Sequence, residues 1–348
     1  MTEAIFRTKQ GEKVLLIDEQ NDLCGAWKTI KYNRLPEIEV GCHIWDIQKD
    51  TFRFLESFYG LNLSSLSPQP VLLSRGKRIP YDWKMNLLTT RLVLSRLSRF
   101  KLKTLSKELK SPANRFSILP GKYLYPVGGA KEFSEKLKQK FSQYNIDYRL
   151  EVMMDHLEID KSNVRIKLSN GDEIQSDHLV MTSLTKLKSV KLPERETLYP
   201  ETRDVRYIHT HIILDRKPSK AFSYIRWMDD DMIHRVSDMT SQVSDKLDSN
   251  QSLICLAIHE EAFDKDSMDN IVKRGVQKLK EAGYLDNDSK AIDYEHNVYP
   301  SYYNDANNLW LIKEQSEGRV SVLHSTNFTY SFFNQVARYE ALLSTSAH

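Results

Sequence analysis

Residues 14–29 read Val14-Leu15-Leu16-Ile17-Asp18, then Glu19-Gln20-Asn21-Asp22-Leu23, then Cys24-Gly25-Ala26-Trp27-Lys28-Thr29. Four consecutive apolar residues ending in a carboxylate describe a strand buried on both faces, as in a parallel sheet. The polar spacer and the small residues Cys24, Gly25 and Ala26 describe the loop that leaves it. Upstream, residues 2–10 fit the tail of a helix, with Gly11 as its C-cap. The front of the chain is therefore helix, turn and buried strand, a piece of an α/β layer.

Downstream the pattern alternates. Residues 51–60 suggest a helix carrying Phe54, Leu55 and Phe58, closed by Gly60. Residues 64–82 hold three prolines and several serines and read as loops and short strands. Residues 85–110 look helical and basic, 120–130 form a turn-rich crossing, and 131–142 form a helix with Phe133, Leu137 and Phe141 on one face. Ile146–Leu150 is a candidate strand, and Val164–Leu168 and Glu173–Gln175 flank the hairpin signal Asn170-Gly171. Leu179–Thr182, residues 205–214, 221–227 and 252–258 read as further strands. Residues 268–283 spell a helix with Ile271, Val272, Val276 and Leu279 inward; 320–324 is a last strand and 330–343 a last helix. Parallel-type units mixed with antiparallel hairpins predict an α/β domain with an inserted α+β portion.

The bulk numbers narrow the class. A chain of 348 residues can bury a large core and form two domains. Fifty Lys and Arg against 47 Asp and Glu leave a formal charge of +3, which argues against a nucleic-acid binder. Three cysteines, Cys24, Cys42 and Cys255, show no metal-ligand spacing and no disulfide framework, so a reducing, cytoplasmic setting is expected. No uninterrupted apolar run approaches the ~18 residues that span a bilayer. GxSxG, HExxH, Walker-type and paired CxxC motifs are absent.

The ordered set of motifs resembles the flavin amine oxidase and protoporphyrinogen oxidase superfamily, and within it UDP-galactopyranose mutase-like proteins. The resemblance rests first on Asp18 and the Cys24-Gly25-Ala26…Thr29 loop, then on Gly41-Cys42-His43-Ile44-Trp45. It continues through Gly76–Pro80 with Asn86-Leu87, Tyr125-Pro126-Val127-Gly128-Gly129, and Ser176–Thr182. Ile233–Ser237, Val298–Tyr302 and Phe328-Thr329-Tyr330 complete the order. It implies a Rossmann-type FAD-binding domain of the GR2-like kind from residues 1–50, 120–185 and 305–348. A substrate domain would come from 51–119 and 186–304. It implies FAD, and chemistry on a small molecule or nucleotide sugar, oxidoreductase or mutase in type, with surface-glycan synthesis as a pathway. Asp18, Gly25, Thr29 and Tyr330 would contact the cofactor, and His43 would lie by the flavin ring as the catalytic candidate. Arg226, Arg235, Tyr299 and Tyr302 would line the substrate cleft, arginine being suited to bidentate contacts with phosphate.

The departures from the family pattern fall on cofactor positions. Thirteen residues precede Val14, and no GxGxxG is among them. Cys24 and Ala26 replace a Gly and an Arg, and the segment His324-Ser325-Thr326-Asn327 lacks the late Gly-Arg. Each lost hydrogen bond to a charged diphosphate costs roughly 1.5–3 kcal/mol, and several together about 5 kcal/mol, thousands-fold in affinity. Two expectations follow: a strand and phosphate loop lie upstream of Met1, or the chain is a flavin-free relative serving as a binding or scaffolding partner. A strand supplied by a partner chain is a third. The basic face Arg96, Arg99, Lys103, Lys107 and Lys110, within 91–110, is a candidate peripheral membrane contact, with a solvated face as the simpler reading.

Overall fold

The computed structural model describes residues 1–25, 27, 29–32, 38–40, 45–46, 49–65, 71–74, 77–79, 123–182, 187–193, 197–200, 202–227, 230–304, 306–323, 336 and 338–343. Helix α1 (Thr2–Lys9) leads into β1 (Leu15–Ile17), β2 (Thr29–Ile30), β3 (Ile38–Glu39) and β4 (Trp45–Asp46). Then come α2 (Lys49–Tyr59), β5 (Leu63–Ser65), β6 (Val71–Ser74), β7 (Lys77–Ile79), β8 (Tyr123–Pro126) and α3 (Gly129–Ser142). Strands β9 (Asp147–Arg149), β10 (Met154–Ile159), β11 (Val164–Leu168), β12 (Glu173–Ser176), β13 (Leu179–Met181) and β14 (Ser189–Lys191) follow. The rest is β15 (Thr202–Leu214), β16 (Tyr224–Trp227), β17 (Ile233–Asp238), β18 (Ser252–Ile258), α4 (Glu260–Lys265), α5 (Met268–Glu281), β19 (Ala291–Asn304), α6 (Ala306–Gln315) and β20 (Val320–Val322).

The largest sheet has the order β19-β15-β18-β17-β16-β6-β7. Only the β16–β6 pairing in it is parallel. One face packs against α5. Ile271, Val272, Val276 and Leu279 of that helix meet Ile225, Ile233, Val236 and Leu256 of the sheet. Gly275 sets how near the helix comes: a Cβ there would lie 2.6 Å from Leu256 Cδ1. The helix begins at Ser267, whose hydroxyl accepts from the Asn270 N–H at 3.3 Å, a normal N-cap.

A second apolar cluster joins α1 (Ala4, Ile5, Phe6), α2 (Phe54, Leu55, Phe58) and the end of the chain (Val336, Tyr339, Leu342). A third lies under the sheet β12-β11-β10-β14, with Leu309 and Ile312 of α6 and with Met181 and Val320. The strand expected to follow Val14 and end at Asp18 is β1, paired in parallel with β9 and with no other strand among the described residues; it is half-buried to exposed, not buried on both faces, because it lacks a second neighbour there. Strand β13 pairs in parallel with β20, its one partner among the described residues. The hairpin at Asn170-Gly171 is present, with Gly171 at φ +91°. Gln10 rather than Gly11 caps α1; Gly11 follows at φ +85°, the left-handed position just beyond the cap. The expected helices at 85–110 and over most of 330–343 lie outside the described residues; Tyr339 leads into a 3-10 turn at Glu340–Leu342. No helix among the described residues is long and apolar enough to cross a membrane.

Candidate functional site

The second face of the large sheet carries the polar chemistry. Residues directly opposite in an antiparallel ladder share a face. Register therefore aligns Asn297, His209, Ala257, Arg235 and Arg226 in one row across five strands. The next row is Glu295, His211, Cys255, Ser237 and Tyr224. Alternation on the same strand places Tyr299 on this face too.

The centre of the face is covered. Ile38 of β3 packs with Leu253, Cys255, Met239 and Val243, and Tyr32 sits against the same cluster. The Tyr32 hydroxyl and His211 Nδ1 are hydrogen-bonded at 2.7 Å. Burial pushes the His211 imidazole down to about 4, opposed in part by the Glu39 main chain, so the ring is neutral at ordinary pH. The same burial raises the Tyr32 phenol. Beside this pair the buried carboxylate of Glu39 accepts from the Tyr125 hydroxyl, and from Gln242 Nε2 at 3.0 Å. Gln242 also donates to the Tyr125 oxygen at 3.2 Å. This cluster fastens the β2–β3 hairpin and β8 to the loop after β17, placing the front of the chain against the sheet.

Arg226 and Arg235 stand directly opposite each other on β16 and β17. Like charges so placed repel. Arg226 is exposed and Arg235 half-buried. The Arg235 Nε is buried without a hydrogen-bond partner, and its guanidinium lies 5.9 Å from the Tyr224 ring centre. Neither arginine has an acidic partner within ion-pair distance among the described residues. Two forked donors on one face, unneutralised, fit a phosphate or carboxylate.

Three of the predicted cofactor residues, Asp18, Gly25 and Thr29, lie in the front segment. Asp18 ends β1, and its Oδ1 accepts the Gln20 N–H at 2.9 Å. Burial raises its carboxyl, against the pull of that N–H. Gly25 takes φ +53°, and Thr29 pairs with Glu39 across the β2–β3 hairpin. Cys24 is buried, its thiol pushed up to about 11 by burial and directed at the Ser134 carbonyl, 3.6 Å away. It behaves as a small apolar side chain. Tyr299 is half-buried on β19, opposite Tyr207. Tyr302 pairs with Asp204 through its main chain, and its side chain lies outside the described residues. His43, Cys42, Tyr330 and the basic stretch 91–110 also lie outside them. Sequence reasoning missed His211, Tyr32, Glu39 and Gln242. The alternating His209-x-His211 on a long strand was the one signal for them.

The described residues fit a flavin dinucleotide only in part. Asp18, half-buried at a strand end, suits a ribose hydroxyl. A diphosphate needs converging main-chain N–H groups at a helix start or glycine turn. No glycine-rich turn among the described residues joins β1 to β13. The Gly128 N–H at the start of α3 is already donated to Glu132 Oε2 at 2.7 Å. The diphosphate does not fit them. Nor does any group of three His, Cys, Asp or Glu among them suit a metal ion.

The fold is similar to those of solved oxidase and mutase structures. A reduced UDP-galactopyranose mutase matches over 100% of this chain and 92% of its own, at TM-score 0.65 and 13% identity. A protein from Exiguobacterium sp. 255-15, assigned as a protoporphyrinogen oxidase, matches over 99% of this chain and 96% of its own, at TM-score 0.61 and 13% identity. A wild-type putrescine oxidase bound to putrescine covers 99% and 95%, at TM-score 0.61 and 12% identity. No protein-family model and no curated protein matches the sequence. At these identities the likeness is one of fold.

Proposed function

We propose that this chain is an oxidoreductase- or mutase-type protein of the flavin amine oxidase fold. It takes the anionic part of a small molecule, a nucleotide sugar being the class it suits, on the sheet face of Arg226 and Arg235. The observation that carries the reading is that cross-strand arginine pair, unneutralised on one face. A bound diphosphate would relieve their repulsion and occupy the donors of both. Tyr299 on the same face offers a flat apolar surface to a sugar or base. His43 remains the catalytic candidate, with surface-glycan synthesis as the pathway. In this reading residues 1–50, 120–185 and 305–348 form an incomplete Rossmann-type unit, and 51–119 with 186–304 the substrate portion. A cytoplasmic setting suits the buried free thiols Cys24 and Cys255.

FAD belongs to the same proposal, with Asp18, Gly25, Thr29 and Tyr330 on its side of the cleft. Its diphosphate would need donors from outside the described residues. That shortage favours a second reading, in which the chain binds its ligand without flavin and serves as a partner for a complete enzyme. Two measurements separate them. Titration with UDP-galactose by calorimetry should show binding that Arg235→Ala weakens about tenfold to a hundredfold, the worth of one charge-assisted hydrogen bond. No binding, or binding indifferent to Arg235, overturns the arginine site. The visible spectrum after incubation with FAD and removal of the excess decides the flavin: retained bands support the enzyme, and a colourless folded protein supports the flavin-free partner.

A further inference from the structure

A groove runs between α5 and the start of β19, on the α5 side of the large sheet. Its volume is about 470 Å³, within the ~300–1,000 Å³ typical of small-molecule sites. The arginine pair lies on the other side of the sheet, and β19 and β16 are four strand positions apart, roughly 19 Å. On α5, Asp269, Lys273, Gln277 and Lys280 line one wall. At 1.5 Å per residue that wall is about 16 Å long. The buried side chains of Val272 and Val276 add apolar lining. The facing wall is the segment Ser289–Tyr294.

Three features of that lining call for a ligand. Ser289 is 1% exposed, and its hydroxyl is buried with no hydrogen-bond partner among the described residues. A buried hydroxyl left unmet is costly, and a ligand acceptor would meet it. Second, Leu214 pairs with Ala291 and Ile213 with Asp293, so Ile292 is the extra residue of a β-bulge. Bulges re-aim side chains, and Ile292 is 48% exposed on the groove. Third, the free charge is positive. Lys273, Lys280 and Lys290 have no acidic partner within ion-pair distance among the described residues. The two carboxylates of the lining are engaged: Asp269 accepts the Tyr294 phenol, and Asp293 accepts the Tyr294 N–H at 2.9 Å.

We propose that this groove is a binding site for a small carboxylic acid with an apolar body, of the medium-chain acyl type. The body would lie on Val272, Val276 and Ile292. The carboxylate would accept from the Ser289 hydroxyl and face the ammonium groups of Lys280 and Lys290. Lys280 is already steadied there by its bond to the Asn287 carbonyl at 2.8 Å, and it keeps further N–H donors for a ligand. A cationic amphiphile fits poorly, because both carboxylates are taken and three ammonium groups oppose it. The site stands apart from the arginine and flavin reading, in position and in chemistry.

Methyl NMR of the full 348-residue chain, labelled at isoleucine, tests it with octanoate as the probe. The Ile292 methyl should shift and saturate, with a half-point of about 1 mM for so small a ligand. Acetate, which lacks the body, and octylammonium, which reverses the charge, should leave it in place. Ser289→Ala should weaken octanoate about tenfold or more, the worth of a hydrogen bond to a charged group. The same variant should keep the urea midpoint of the parent or raise it, since the hydroxyl bonds nothing in the empty groove. Lys290→Glu, at an exposed position, should also weaken octanoate about tenfold. Arg235→Ala should leave the Ile292 titration unchanged, which separates this site from the arginine face. An Ile292 methyl indifferent to octanoate, or one that answers octylammonium equally, would overturn the proposal. So would full affinity or lost stability in Ser289→Ala, or loss of the Ile292 shift in Arg235→Ala.

Discussion

Acidification should destabilise this protein through one histidine. The unfolded imidazole takes its proton near 6.5, whereas His211 in the folded chain resists until about 4. Between those values the unfolded state binds more protons, so stability is whole above about 6.5 and falls as pH drops. At about 1.36 kcal/mol per pH unit the complete loss, reached below the folded value, is about 3 kcal/mol. Between about pH 7.5 and pH 5 the same arithmetic gives about 2 kcal/mol. His211→Asn isolates this contribution: an amide keeps a hydrogen-bonding group near the Tyr32 hydroxyl and does not titrate. The half-buried carboxyls of Asp18 and Asp238, raised by desolvation, act in the opposite sense but are common to both proteins and cancel in the difference. Urea unfolding at the two pH values should show the native chain losing about 2 kcal/mol more than the variant. Proton NMR of the imidazole should place its titration near 4. Equal losses in the two proteins, or a titration at 6 or above, would refute the argument that burial holds this ring neutral.

Asp230 is fully buried at its side chain and accepts the N–H groups of Met232 (2.8 Å) and Ile233 (2.6 Å) beside Lys278. Desolvation alone would raise its carboxyl; the Ile233 N–H and Lys278 outweigh it and lower it. Asp230→Asn should cost about 2–4 kcal/mol in urea unfolding, and a change below about 0.5 kcal/mol would show that the pair contributes little. Ser267→Ala should cost about 1 kcal/mol through the lost cap of α5, read as a lowered melting temperature. Arg226→Glu turns a cross-strand repulsion into an attraction. It should raise stability by about 0.2–1 kcal/mol and abolish UDP-galactose binding; a variant that loses stability and keeps its ligand contradicts the anion site. Phe54→Ala should cost about 3–5 kcal/mol, because Phe54 is 1% exposed and stacks on Phe58 at 5.2 Å between rings.

The elements legible in the chain are those with a local cause. The run Val14–Ile17 is a strand as read, though half-buried to exposed rather than buried, since β9 is its one ladder partner among the described residues; Asn170-Gly171 is a tight hairpin, and the 3.6-residue spacing of Ile271, Val272, Val276 and Leu279 is a helix with one apolar face. The segment Ala291–Asn304 was not read as a strand. Its charged and tyrosine-rich sequence lacks alternation, yet it forms a long strand because β15 offers it thirteen register partners. A helix at Ala306–Gln315 was missed for a like reason: its inward residues Leu309 and Ile312 are recognisable only once the third cluster is assembled.

The order of motifs pointed to the fold, because the order of strands and turns is written along the chain. The arrangement of the candidate site was not written there. Arg226 and Arg235 are nine positions apart in sequence, and only the β16–β17 register sets them face to face. His211 is an ordinary strand residue until Tyr32 and Ile38, more than 170 positions away, close over it and remove water. Hydrophobic period and turn chemistry act between neighbours, so sequence alone determined the elements that have a local cause. Charge opposition and desolvation arise between segments remote in the chain, and tertiary structure alone decided those.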